Sequence, residues 1–346
     1  MFENGIAGNN VTISDVARAC GVSKTTISRY LNGRFDYFSE ETRERISQVI
    51  DELGYNPNKS AQRLKASKTR LIGCLIGDIG SPFAGLLLKG ITKTCEQVGY
   101  QVLFAQSDDN PEKELQMIEG LLANRVDGLI VNTCGNNDEY LFSIAQRRIP
   151  LVLADRGLLS GIKIDTVEHS NEESAIDCVR FLKECGYEDI AFFSIEMGTV
   201  SPRIKRYRGY LEAMAQYYPD VPTKKFEFKP ENEQACIDAV QSFYKRSGGS
   251  RLAILSANGV TAEKIALAFT KIGWTFGRNF GLCTFDDWEW MKLNPGITAV
   301  SMQTEETGSM TARLLLEIIN GDRKMGSEPV DIRLPGKLII RGSTKE

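Results

Sequence analysis

One stretch near the start of the chain, TISDVARACGVSKTTISRYLN from Thr12 to Asn32, leaves few folds open. Thr12, with Asp15 three residues on, gives a capping-box-like start to a first short helix, which carries Val16 and Ala17 inward. That helix ends near Gly21, a residue that tolerates the left-handed backbone of a sharp turn. Ser23 suits the N-cap of a second helix, on which Ile27 and Leu31 share one face at i and i+4. Small Ala17, then Gly21, then Ile27 are what two closely crossing helices need at their contact and turn. The pattern is a helix-turn-helix.

A third helix is expected next. Ser39 caps it, Glu40 and Glu41 favour its positive end, and Ile46, Val49, Ile50 and Leu53 form an apolar stripe that stops at Gly54. Three helices of this size bury little surface, so the unit is marginal alone. The following YNPNKSAQRLKASKTR begins at Asn-Pro and is polar and basic, which suits a disordered linker. Within it, Ser60 to Lys65 is also a good helix former, with Leu64 the single apolar side chain among cations. The residues alone leave both readings open.

Charge separates this head from the rest. Net charge is −3 over 346 residues, yet residues 1–70 hold eleven Lys/Arg against eight Asp/Glu, so the remainder is acidic. A basic head on an acidic body fits DNA contact confined to the head. The longest apolar runs, such as LIGCLIG, are too short to span a bilayer, and MFENGIAGNN lacks the features of a secretory signal. Eight cysteines stand singly with no CxxC pair, so reduced packing cysteines and a cytoplasmic location are expected. His169 is the only histidine, which leaves a Ser-His-Asp hydrolase or a histidine-rich metal site unsupported. No catalytic residue, metal site or cofactor is expected, and no Gly-rich phosphate loop follows a strand.

From Leu71 the pattern becomes short apolar runs alternating with amphipathic stretches. LIGCLIG, QVLFAQ, DGLIVN and PLVLAD read as strands, and so do 189–194, 225–229, 251–256 and 280–285. Helices are expected between them, near 83–98, 112–124, 138–148, 171–185, 204–217, 232–246 and 260–272. Continuous apolar strands alternating with helices mean parallel sheets covered on both faces. Two successive sets suggest two doubly wound α/β subdomains with a cleft between them. ITAVSMQT and a helix near 305–320 read as a return to the first.

With TISDVARACGVSKTTISRYLNG, SEETRERISQVIDELGYNPN, SAQRLK, RVDGLIV, PLVLADR, RYRGYLEA and FDDWEW in view, the chain resembles the LacI/GalR family of transcription repressors from Val11 to Arg341. The resemblance implies an all-α helix-turn-helix head over 11–56, a hinge helix and linker over 57–70, and a periplasmic-binding-protein-like body over 71–346. The expected N-subdomain is 71–163 with 296–324, and the expected C-subdomain is 164–295 with 325–341. It further implies a dimer on double-stranded operator DNA and a sugar-sized effector in the cleft. The hinge helix is expected to fold only on the operator. A sugar-binding sensor acting through protein partners is the alternative, and the intact head motif argues against it. The chain carries no leucine-heptad tail after RGSTKE, so a dimer and no higher oligomer is expected.

By the same resemblance, Thr12, Ser23, Lys24, Thr25, Arg29, Asn32, Ala61, Leu64 and Lys65 would contact DNA. Arg29 would favour guanine in the major groove, and Leu64 would enter the minor groove as an apolar wedge that opens a base step. Arg63, Lys65 and Lys68 would neutralise phosphates. In the cleft, Phe83 would stack on the ligand ring, Arg156 and Arg206 would bind its polar groups, and Asp286 would accept from hydroxyls. Trp288 would offer a face to a sugar, with Trp290 a second candidate and Arg203 a weaker cation. Family members carry Asn-Asp before the helix near 260, where this chain has Asn258-Gly259, so that carboxylate is missing. The guanidinium pair and FDDWEW, which resembles the loop of repressors of ketodeoxygluconate catabolism, favour a sugar acid or sugar phosphate.

Overall fold

The computed structural model describes residues 11–31, 33–55, 68–246 and 248–345, which fall into two compact units divided between Thr69 and Arg70. The smaller unit holds α1 (Ile13–Cys20), α2 (Lys24–Leu31) and α3 (Glu40–Glu52). Local chemistry accounts for each end. The Asp15 carboxylate accepts from the Thr12 N–H at 3.0 Å and from its hydroxyl at 2.6 Å. Gly21 takes φ 65° at the end of α1, where the Val22 N–H reaches back to the Ala17 carbonyl at 3.0 Å. Ser23 Oγ accepts from the Thr26 N–H at 3.1 Å, and Ser39 Oγ from the Thr42 N–H at 3.3 Å.

Val16, Ala17, Cys20, Ile27 and Ile46 form the buried centre of the three helices. Arg45 of α3 donates to the Cys20 carbonyl at 2.6 Å and so fastens α3 to the end of α1. Leu53 departs from the expected stripe. It is the C-cap of α3 and 37% exposed.

The larger unit contains two six-stranded sheets. The chain runs β1 (Leu71–Ile76), α4 (Pro82–Gln97), β2 (Gln101–Gln106), α5 (Pro111–Ala123), β3 (Gly128–Val131), α6 (Asp138–Gln146), β4 (Leu151–Ala154) and β5 (Thr166–His169). It continues through α7 (Asn171–Glu184), β6 (Asp189–Ile195), α8 (Ser201–Tyr217), β7 (Lys224–Phe228), α9 (Glu233–Lys245), β8 (Leu252–Ser256), α10 (Gly259–Ile272) and β9 (Gly281–Phe285). The last elements are β10 (Thr298–Ser301), α11 (Thr304–Asn320), β11 (Asp331–Leu334) and β12 (Lys337–Ile339).

Strand order is β11-β5-β4-β3-β1-β2 in the first sheet and β12-β10-β9-β8-β6-β7 in the second. All pairs are parallel except β10 with β12. The central strands are buried on both faces, as their continuous apolar runs require.

The subdomain limits need correction at three strands. β5 joins the first sheet, where the expected boundary put it in the second subdomain, and β11 follows it there as its parallel neighbour. β10, expected in the first, pairs with β9 in the second, at register Thr298↔Cys283. Apolar pattern marks a strand without naming its sheet, and the short link after β9 sets β10 down beside it. Only α11 makes the anticipated return. It lies against α4 so closely that a Cβ on Gly90 would fall 2.0 Å from the Glu305 carbonyl oxygen. Gly209 does the same for α7 and α8, where a Cβ would fall 2.3 Å from the Glu172 carbonyl oxygen.

Candidate functional site

Between the two sheets lies a cleft of about 500 Å³, lined by residues at or just beyond the strand C-termini, among them Asp155, Arg156, Ile195, Asn258 and Asp286. Open α/β sheets place ligands there, because each strand end hands over to a loop or to a helix start with free N–H groups. Asp155 and Asp286 each follow an apolar strand directly, and both sit at positive φ, 65° and 69°. A short polar side chain tolerates that backbone.

Arg206 of α8 is 4% exposed. Its Nε donates to Asn171 Oδ1 and its terminal nitrogen to the Ala257 carbonyl, both at 2.8 Å. Its guanidinium lies 4.2 Å from the centroid of the Phe285 ring. Burial pulls its pKa down, and the Asp286 and Asp155 carboxylates oppose that pull. Asp286 Oδ2 accepts from the Gly259 N–H at 2.9 Å, which joins β9 to the first turn of α10.

Asp155, not singled out from the sequence, is a second buried acid of the cleft beside Asp286. Burial pushes its carboxyl up to about 6 against the pull of Arg206 and Arg156. Its Oδ1 finds no hydrogen-bond donor among the described residues. His169 Nε2 is 4.0 Å away and pairs instead with the Thr307 hydroxyl at 3.0 Å. Burial, with Arg206 nearby, holds the imidazole down at about 3, so it is neutral at ordinary pH. A signal for Asp155 existed: PLVLAD and GLCTFD end their strands alike.

Arg156 also lines the cleft, with its guanidinium on Asp109 Oδ1 at 2.6 Å and on the Thr133 carbonyl at 3.2 Å. Arg203 donates to the Glu196 carbonyl at 2.7 Å, while its buried Nε has no partner among the described residues. Burial and then the neighbouring Arg156 and Arg206 bring its pKa down to about 10. Between the loops that follow β3 and β6, the Thr199 hydroxyl donates to the Cys134 carbonyl at 2.8 Å.

Phe83 is half-buried on the cleft wall, packed against the cores of both sheets. Trp288 lines the cleft at 6% exposure. Trp290 lies in the second core, and Asp287 is engaged 2.7 Å from Arg341. The structure thus brings Phe83, Arg156, Arg206, Asp286 and Trp288 together. All eight cysteines are free, seven of them buried. Among the described residues no group of His, Cys, Asp and Glu is placed to hold a metal, and no helix is long and apolar enough to cross a membrane.

On the head, Lys24, Thr25 and Arg29 stand exposed on α2, whose buried residue is Ile27. The hydroxyls of Thr12 and Ser23 are engaged in the two caps. Asn32, Ala61, Arg63, Leu64 and Lys65, with most of the expected hinge helix, lie outside the described residues.

A helix-turn-helix head and a two-sheet body with a polar cleft define a class, the DNA-binding regulator answering to a small molecule. Residues 12–58 match the model of "bacterial regulatory proteins, lacI family", and residues 69–341 match "periplasmic binding proteins and sugar binding domain of LacI family". The chain belongs to the LacI family. The transcriptional regulator KdgR of Bacillus subtilis (strain 168) is 35% identical to it, over 96% of this chain and 98% of that protein. The regulator PtxS of Pseudomonas plecoglossicida is 33% identical, over 98% and 97%. A lac repressor dimer solved with operator and the anti-inducer ONPF has the same fold, with TM-score 0.83 at 24% identity over 98% of this chain and all of that one. The protein is accordingly a transcriptional repressor whose DNA binding is controlled by an effector, and it is not an enzyme.

Proposed function

We propose that this repressor works as a cytoplasmic dimer on a pseudo-palindromic operator and that its effector is a sugar acid or a sugar phosphate. The head would read the major groove through Lys24, Thr25 and Arg29, with Thr12, Ser23 and Asn32 beside them. Ala61, Leu64 and Lys65 would serve the operator centre. A similar fold solved as a CelR–cellobiose complex holds a neutral sugar, so the fold leaves ligand charge to the side chains.

The observation that carries the ligand class is Arg203. Arg156 is answered by Asp109, and Arg206 faces Asp155 and Asp286, but Arg203 makes no carboxylate ion pair among the described residues. A half-buried guanidinium among like charges, its buried Nε unpartnered, is costly until an anion joins it. Asp155 and Asp286 then suit hydroxyls, and Trp288 and Phe83 the apolar faces of a sugar.

Calorimetric titration with ketodeoxygluconate, its phosphate and matched neutral sugars tests this reading. One of the anions should bind best, with roughly tenfold or greater loss in Arg203→Gln and Arg206→Ala. Tighter binding of the neutral sugars, or anion binding untouched by both substitutions, would overturn it.

A further inference from the structure

The loop between α2 and α3, Gly33–Phe38, gives three of its six residues to aromatics. Two of them anchor it. Phe35 and Phe38 both meet Tyr30 of α2 edge-on, with centroids 5.6 and 6.2 Å apart, and the Arg43 guanidinium covers the Phe35 ring at 4.2 Å. The Arg34 N–H donates to the Arg29 carbonyl at 3.1 Å and ties the loop to the end of α2.

The third ring is not packed. Tyr37 is 71% exposed, and the only group resting on it among the described residues is the Arg29 guanidinium, 5.0 Å from the ring centroid. The Arg29 side chain makes no hydrogen bond or ion pair among the described residues. The short 3-10 turn Phe35–Tyr37 therefore sets one ring against Tyr30 and presents the other to an arginine on the exposed face of α2.

We propose that Tyr37 is a positioning residue for operator recognition. Its ring holds the Arg29 guanidinium in one orientation, so that the two-pronged donor meets a guanine edge with less side-chain freedom left to lose. This rests on the reading of Arg29 as a base contact. An exposed cation–π contact supports roughly a two- to fivefold effect per half-site, hence about 5- to 30-fold for a dimer on two half-sites.

The test uses the full chain and a duplex that it selects from a randomised pool. Affinity is measured on that duplex, on variants changed at each base pair, and on random-sequence duplex, for Tyr37→Leu, Tyr37→Phe, Arg29→Ala and the Arg29→Ala/Tyr37→Leu double variant. Tyr37→Leu should lose about 5- to 30-fold on the selected duplex only, and flatten preference at the same G·C pair that Arg29→Ala flattens. Tyr37→Phe should behave as wild type, and the double variant as Arg29→Ala. A loss shared by random duplex with a shallower salt slope would mean that the ring touches phosphate, and no loss would mean that it does nothing; either overturns the inference. Arg29→Ala with every base preference intact would instead remove the Arg29 reading, and this inference with it.

Discussion

The indole of Trp288 occupies the space that a side chain on residue 259 would need. A Cβ built on Gly259 would fall 2.8 Å from two carbons of its six-membered ring. The missing carboxylate after Asn258 and the tryptophan of FDDWEW are therefore one feature. A bare first turn of α10 lets the ring lie flat against it, buried on one side and facing the cleft on the other.

Gly259→Ala should push that ring into the cleft. Alanine is the better helix former, so α10 itself does not suffer, but overpacking of this kind costs about 1–3 kcal/mol. Effector affinity should fall more than stability does, with a shift in tryptophan emission and unchanged affinity for random duplex DNA. A variant that binds effector as wild type, with unaltered emission, would show that the ring has room elsewhere.

The strands of the body were legible because doubly covered parallel strands are written as unbroken apolar runs. β5 was not. Its four residues, Thr-Val-Glu-His, are all buried, yet three are polar and survive burial through partners: Thr166 on the Ile164 carbonyl, Glu168 on Lys205 and His169 on Thr307. No local pattern encodes a partner 37 or 138 residues away. The same limit hid the exchange of β10 and β11 between sheets. In the cleft, Arg206 and Asp286 stood out through their resemblance and their place at element ends. Asp155 did not, because an acid after a strand reads as an ordinary loop start until its burial is known.

Asp155→Asn should stabilise the body above pH 7. The wild-type carboxyl is raised from 3.8 to about 6, so between those values the folded state holds the proton more tightly and stability falls as pH rises. Asparagine tolerates the same left-handed backbone and stays neutral, which removes the penalty. His169 titrates with the opposite sign, its lowered pKa making stability rise from about 3 to 6.5, but it is common to both proteins and cancels in the difference. Urea unfolding should show a gain of roughly 1–3 kcal/mol at pH 8 that shrinks toward pH 5. A gain of equal size at both would put the effect elsewhere.

Glu168 and Lys205 form a bidentate pair, at 2.6 and 2.5 Å, between β5 of the first sheet and α8 of the second subdomain. Glu168 is 2% exposed, and burial pushes its carboxyl up while Lys205 holds it down. Lys205→Met leaves that acid with Arg333 alone, 3.5 Å off. The expected cost is roughly 3 kcal/mol near neutral pH, less in acid where Glu168 takes up a proton. Glu168→Gln added to Lys205→Met should recover most of it. If single and double variants unfold at the same urea concentration, the loss is one of packing.

DNA affinity should fall steeply with salt. Lys24 and Arg29 stand exposed on α2, and Arg63, Lys65 and Lys68 follow the head in the sequence, so two protomers offer enough cations for several phosphates. Each phosphate neutralised releases counterions, and six to ten such contacts lose roughly 10³–10⁵ in affinity between 50 and 200 mM salt. Lys24→Ala should lower the slope and weaken random and selected duplexes alike if it meets phosphate. It should instead relax one base preference if it reaches into the groove. Filter-binding titrations across that salt range separate the two, and a flat response would mean that the head does not meet the backbone through these side chains.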